Sequence, residues 1–259
     1  MSCYSYNFSM PNSEKNGVNT AVLAASQADG KRIHMTGISS MATRQLLVEL
    51  ARANASAGGT PLALESMGGV DAAKRVQAGD AFDVVFLASD AISKLIDSGY
   101  VIKGSRIDLV RSQVAVAIKA GAAAPSIATE ADVRQAVLDA ASVGYSTGPS
   151  GTALVALFER WGIMADMQSK LRQARAGLPV AGMVASGDVK LGFQQRSEMI
   201  DALGIQVIGD LPDEIAIVTI FSGGVCSASK RSDEARALLS AFAAPIHAAI
   251  KLQHGMTAM

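Results

Sequence analysis

Cysteine is scarce: Cys3 and Cys226 are the two in a chain of 259 residues. Far apart and without histidine or acidic partners at ligand spacing, they form neither a disulfide framework nor a metal site. Cys226 reads as a buried apolar residue and Cys3 as part of an exposed end. An excess of one charge is also lacking, with 23 basic and 23 acidic residues and no dense basic run. A nucleic-acid partner held by bulk charge is therefore excluded. Although 49% of the residues are hydrophobic, no apolar run approaches the roughly 18 residues of a membrane helix, so no membrane insertion is expected. The first 32 residues hold no apolar stretch longer than Ala21–Ala25, whereas an export signal needs about 7 to 15 apolar residues after a basic start. A cytoplasmic location is expected on that ground, or a periplasmic one had an export segment been removed. No His/Cys/Asp/Glu cluster has metal-ligand spacing, and no cofactor motif is present.

What the chain does have is a regular alternation of β-prone runs and helical patterns. Strands are expected at 32–36, 61–65 and 83–87, and helices at about 41–55, 70–78 and 89–99. This spacing implies βαβ units and a mainly parallel sheet. Ligands in such sheets sit beyond the carboxyl ends of the strands. Three small-residue turns lie there: one around Ser39 and Ser40, one at Ser66-Met-Gly-Gly69, and one at Gly144-Tyr-Ser-Thr-Gly-Pro-Ser-Gly-Thr152. The last turn leads into a helix from about 151. Its glycines permit a sharp bend, and unpaired amides together with Ser146, Thr147, Ser150 and Thr152 can hold an anion. The plainer alternative is that Ser150 or Thr152 caps the helix. Helices are also expected at 130–141, 165–174 and 179–186, strands at 189–193 and 204–208, and a helical region from 233 onward.

Two long β-prone runs, 109–118 and 215–221, flank the middle third of the chain. They suggest one lobe inserted in another and joined to it by two crossing segments. The expected division is an arm at 1–30, a first lobe from 31–110 and 222–259, and an inserted lobe at 111–221.

The order of Ser39-Ser40, Ser66-Met-Gly-Gly69, Gln77-Ala-Gly-Asp-Ala-Phe-Asp-Val-Val-Phe86, Ser89-Asp90 and Gly187-Asp188 before Gly192-Phe193 resembles the molybdate-binding branch of type II periplasmic binding proteins. The likeness runs over about residues 31–254. It implies an α/β fold of two Rossmann-like lobes, mainly parallel sheets and two crossing strands, with a small anion clamped in the cleft. It also implies ligand contacts from Ser39 or Ser40 and from the Ser66, Gly68 and Gly69 turn. The sequence departs from that pattern where Gly68-Gly69 stands in place of a serine-containing pair, and where Phe193 stands near an expected tyrosine.

Gly192-Phe-Gln-Gln-Arg-Ser-Glu198 adds two amides and a guanidinium, which suit planar carboxylates. Gln194, Gln195 and Arg196 are thus ligand candidates, though Arg196 and Glu198 also fit a solvated first turn of a helix. Some relatives of the molybdate binders shift a double bond in aconitate, and this chain is similar to those as well. Such a reaction needs a base, for which Glu198 is the candidate; Tyr145, beside the anion turn, is a candidate to donate to the ligand or act as the acid, while His34, His247 and His254 read as structural. Ser150 lacks a paired base, so a hydrolase nucleophile is rejected. The expected function is binding of a small carboxylate with isomerisation by proton shift. The alternative is a non-catalytic molybdate or oxyanion receptor serving an ABC transporter.

Overall fold

The computed structural model describes residues 34–175 and 178–259. Among the described residues ten strands, β1 (Met35–Ser40), β2 (Leu62–Met67), β3 (Val84–Ala88), β4 (Ile107–Lys119), β5 (Val143–Tyr145), β6 (Leu171–Gln173), β7 (Leu191–Gln195), β8 (Ile205–Asp210), β9 (Val218–Val225) and β10 (Met256–Ala258), form a continuous sheet. Its path is β2-β1-β3-β9-β4-β7-β5-β6, while β8 and β10 pair with β4 off this path. In the first lobe β1 (Met35–Ser40) runs parallel to β2 (Leu62–Met67) and β3 (Val84–Ala88). In the second, β5 (Val143–Tyr145) runs parallel to β6 (Leu171–Gln173) and β7 (Leu191–Gln195). The helices α1 (Arg44–Ser56), α2 (Gly69–Gln77) and α3 (Ser89–Asp97) belong to the first lobe. The helices α4 (Glu130–Asp139), α5 (Pro149–Arg160), α6 (Met164–Met167) and α7 (Val180–Ser186) belong to the second.

Two strands connect the lobes. The first half of β4 (Ile107–Lys119) pairs antiparallel with β9 (Val218–Val225), over Ile107 to Gln113. From Val114 onward β4 instead pairs with β7 and with β8 (Ile205–Asp210). The buried apolar residues follow the same change of partner. One set of cores draws on residues 35–110 and 221–256, the other on residues 114–217. Burial at roughly 25 cal/mol per Å² of apolar surface makes each set a stabilising centre of its own.

Local chemistry explains the elements. In α5 the buried Leu154, Leu157 and Phe158 recur at helical spacing. Phe158 stacks on Trp161 at 5.7 Å and meets Phe193 edge-on at 6.4 Å. The aromatic ring of Phe193 is thereby committed to the second core. Asp83, fully buried, accepts from the backbone and hydroxyl of Thr36 at 2.9 and 3.2 Å and from Ser229 Oγ at 2.7 Å. Burial, with a lesser contribution from Asp83, pushes the Cys226 thiol up to about 12; Cys226 is an inert core residue, and Cys3 lies outside the described residues.

Several sequence expectations are corrected. The run 165–174 is not one helix: α6 is short, and Leu171–Gln173 adds as strand β6 to the edge of the second lobe, beside β5. The C-terminal helical region, α8 (Ser232–Ala243) and α9 (Ala248–Gln253), ends in strand β10 (Met256–Ala258), which finds an open edge on β4. Ser39, Ser40 and Ser66 belong to strands β1 and β2 rather than to turns. The expected N-terminal arm, and Arg32 and Ile33 of the first expected strand, lie outside the described residues. Among the described residues no single helix is long and apolar enough to cross a membrane.

Candidate functional site

The carboxyl ends of the parallel strands in both lobes open onto one cavity of about 620 Å³. Ser40 ends β1, Gly68 follows β2, Ala88 ends β3, Ser146 follows β5, and Gln194 and Gln195 end β7; all line the cavity. Thr219 and Phe221 of the crossing strand β9 complete it. The arrangement follows from parallel strands feeding helices on one side of a sheet.

Four helices begin at this cavity. Their cap positions are Gly68 for α2, Ala88 for α3, Gly148 for α5 and Pro179 for α7, none of which supplies a side-chain cap. Among the described α-helices only α4 carries a side-chain cap, a capping box in which Thr129 Oγ1 accepts from the Asp132 amide and Asp132 accepts from the Thr129 amide; α1, α8 and α9 are uncapped as well. The start of α5, with no acidic residue in its first turn, offers amide donors and a favourable field to an anion, whereas α2 and α3 carry Asp71 and Asp90 in their first turns.

The β5–α5 segment shows how sequence makes this geometry. Pro149 opens α5 at a position where no amide is needed. Gly151 packs so closely that a Cβ there would lie 1.9 Å from the Ser146 carbonyl oxygen. Ser150 is not the cap; its hydroxyl meets Ser146 Oγ at 3.0 Å and is buried. Thr152 is exposed, and its amide donates to the Gly148 carbonyl at 3.2 Å. The capping alternative read from sequence is therefore replaced by an uncapped helix end with Gly148 at the cap.

Of the residues singled out from sequence, Ser40, Gly68 and Gly69 line the cavity from the first lobe, and Ser146, Thr147 and Ser150 from the second. Gln194, Gln195 and Glu198 are also on its wall. Ser39 and Ser66 are not; their hydroxyls satisfy each other at 2.8 Å across paired strands. Tyr145 packs against the second-lobe core, while Gly151 and Thr152 are not on the cavity wall. Arg196 turns away and pairs with Asp210 at 3.0 Å. None of the three histidines is on the wall; His254 meets Glu49 at 2.6 Å.

At the end of β7 the polar side chains are fixed by one another. Gln194, buried, accepts from the Val180 amide at 2.7 Å, which ties β7 to the start of α7. Gln195 donates to Thr219 Oγ1 at 2.7 Å, and its own Oε1 is buried without a partner among the described residues. A buried orphan acceptor costs about 1–3 kcal/mol. Glu198 follows through the 3-10 turn Arg196–Glu198. Burial raises its carboxyl to about 7, and a hydrogen bond from Gln194 offsets only part of that rise. At neutral pH Glu198 is thus divided between acid and base forms.

Sequence reading missed Thr219 and three charged residues on the wall, Asp71, Lys74 and Lys94. The lysines and Asp71 look like ordinary solvated helix positions in a linear sequence. Thr219 was detectable only as part of a crossing segment bordering the cleft. Among the described residues no His/Cys/Asp/Glu group could hold a metal ion.

These features define a two-lobed α/β protein with the type II periplasmic binding protein fold. The chain belongs to the bacterial extracellular solute-binding protein family, whose model matches residues 35–257. It is 37% identical over 211 residues to an aconitate isomerase from a Pseudomonas species, covering 79% of this chain and 80% of that protein. Its fold matches the Azotobacter vinelandii periplasmic molybdate-binding protein with a TM-score of 0.71 and 19% identity, covering 87% of this chain and 100% of that one. The tungstate ABC transporter structure from Geobacter sulfurreducens gives 0.65 and 14%, with 84% and 97% coverage. At these identities the two structures show the fold alone.

Proposed function

We propose that the protein binds a small unsaturated di- or tricarboxylate in the cavity and shifts its carbon–carbon double bond by moving a proton. The observation that carries this reading is Glu198, a carboxyl raised to about 7 on the wall of a cavity where four helices begin. A simple oxyanion receptor gains nothing from a carboxylate that repels its ligand when ionised. A proton-shift enzyme requires one, with an affinity near the working pH. Ionised Glu198 takes a proton from the carbon allylic to the double bond. The electron pair spreads through the allylic system onto the adjacent carboxylate, where helix-end amides and the Ser146 and Ser150 hydroxyls stabilise it. Glu198 then returns the proton at the other end of the allylic system, so no net proton is gained or lost. The similarity to an aconitate isomerase supports this substrate class.

The second reading, an oxyanion receptor of an ABC transporter, is favoured by the uncapped helix starts and by the structural neighbours. In both readings the ligand is a small anion, and we place the hinges of closure in β4 and β9, close to the expected division of 31–110 and 222–259 from 111–221. The family's extracellular description favours the periplasm over the cytoplasm. Incubation with trans-aconitate, followed by double-bond absorbance and identification of product isomers, tests the enzyme. Wild type should turn over, and Glu198→Gln should bind but lose about 10²-fold or more in rate. Thermal stabilisation by molybdate with no turnover of any unsaturated carboxylate would overturn the isomerase reading.

A further inference from the structure

Side chains alternate along β7. Leu191 and Phe193 take one face and join the second-lobe core. Gly192 and Gln194 take the other, opposite Ala117 and Ala115 of β4. On that face Ala115 and Ala117 pack with Val180 and Val184 of α7 and with Met199 in an apolar layer. Gly192 lets the helix lie against the strand, since a Cβ there would stand 2.4 Å from Val184 Cγ2 and 3.1 Å from Val180 Cγ1. Gln194 is thus an amide set into an apolar layer at 3% exposure, a burial that is costly unless both of its ends are hydrogen-bonded.

A backbone N–H can only donate, so the Gln194 oxygen must face the Val180 amide, at 2.7 Å. The nitrogen at the other end of the group donates to Glu198. The turn Arg196–Glu198 also packs against β4, whose charged residues are Asp108, Arg111 and Lys119, and against the uncharged turn Met41–Thr43. Asp71, Lys74 and Lys94 share its cavity wall, and the neighbouring Arg196 is paired with Asp210. The Glu198 carboxyl is set by none of these charges but by burial, which raises it, and by the Gln194 bond, which lowers it.

Resting on the isomerase reading above, we infer that Gln194 is the positioning residue of the base, holding the Glu198 carboxylate on the cavity wall through a relay from the Val180 amide. An amide nitrogen donates to an ionised carboxylate better than to a neutral acid, so the relay favours the form that takes a proton from the substrate. Gln194 acts on the substrate through Glu198.

Nitrogen-15 NMR of the full chain tests the relay without turnover. In wild type the Gln194 side-chain amide should shift as Glu198 titrates, at about pH 7, whereas the Gln195 amide, bonded to Thr219, should stay still. Neither should shift in Glu198→Gln. Kinetics with trans-aconitate test the consequence. Gln194→Met removes the donor, so the acidic limb of kcat/KM should move up by about one pH unit, making the loss of rate roughly fivefold larger at neutral than at alkaline pH. A Gln194 amide that does not respond to Glu198, or a Gln194→Met enzyme slowed by the same factor at every pH, would overturn the relay. Wild type with no turnover of trans-aconitate would instead overturn the proposed function, while the NMR titration would still decide whether Gln194 holds Glu198.

Discussion

Glu198 connects site chemistry to stability in a way that one substitution can measure. An ordinary glutamate near 4.5 is raised here to about 7 by burial. At about 1.4 kcal/mol per pH unit, the ionised form costs the folded state about 3 kcal/mol. Below pH 4.5 the carboxyl is protonated in folded and unfolded chains alike, and the cost vanishes. Between 4.5 and about 7 the unfolded chain loses its proton while the folded one keeps it, so stability falls as pH rises. Above 7 the full cost is present. Glu198→Gln removes the titration while keeping size and a hydrogen-bonding amide for Gln194. Denaturant titrations of both proteins from pH 4 to 9 should therefore give nearly equal free energies at the acid end. At pH 8 and above the variant should be more stable by about 3 kcal/mol, with the gap opening between 4.5 and 7. The difference between the two curves isolates Glu198 from every other titrating group. Parallel curves across the range would show that this carboxyl is solvated, and would remove the physical basis for its role as a base.

Arg196→Ala should leave carboxylate affinity within about twofold of wild type and cost about 0–1 kcal/mol of stability, because the guanidinium is committed to a partly exposed pair with Asp210. A tenfold loss of affinity in a titration would return Arg196 to the ligand. Gly151→Ala should lower both stability, by about 1–3 kcal/mol, and anion affinity, since the new methyl group must displace the Ser146 carbonyl that it would meet at 1.9 Å. Wild-type melting and binding in that variant would contradict the close approach of α5 to its preceding loop.

Much of the fold is legible in the sequence because its signals are local. The continuous apolar run of β3 and the Pro-Ser-Gly opening of α5 each carry their structure within a few residues. The runs that became β4 and β9 were recognisable by length as crossing segments. The failures were of another kind. Leu171–Gln173 and Met256–Ala258 are strands because β5 and β4 offer them open edges, and no property of three residues announces a neighbour. Their helical surroundings determined the expectation, and pairing determined the outcome.

The candidate site divides along the same line. Residues at strand ends, such as Ser40, Gly68, Ser146 and Gln195, could be placed near a ligand from the alternation of strands and helices alone, because parallel strands deliver their carboxyl ends to one edge. Facing direction was not available. Ser39 and Ser40 are adjacent, yet one is spent on Ser66 and the other lines the cavity, which is the period-two alternation of a strand resolved by its register. Gln195 and Arg196 are likewise adjacent, and one presents an orphan oxygen while the other leaves for Asp210. Local pattern is enough to read a two-lobed α/β chain with small-residue helix starts suited to an anion. The raised carboxyl of Glu198 and the meeting of Thr219 and Lys94 on one cavity wall come from packing, since desolvation and proximity are properties of packed surfaces rather than of neighbours in the chain.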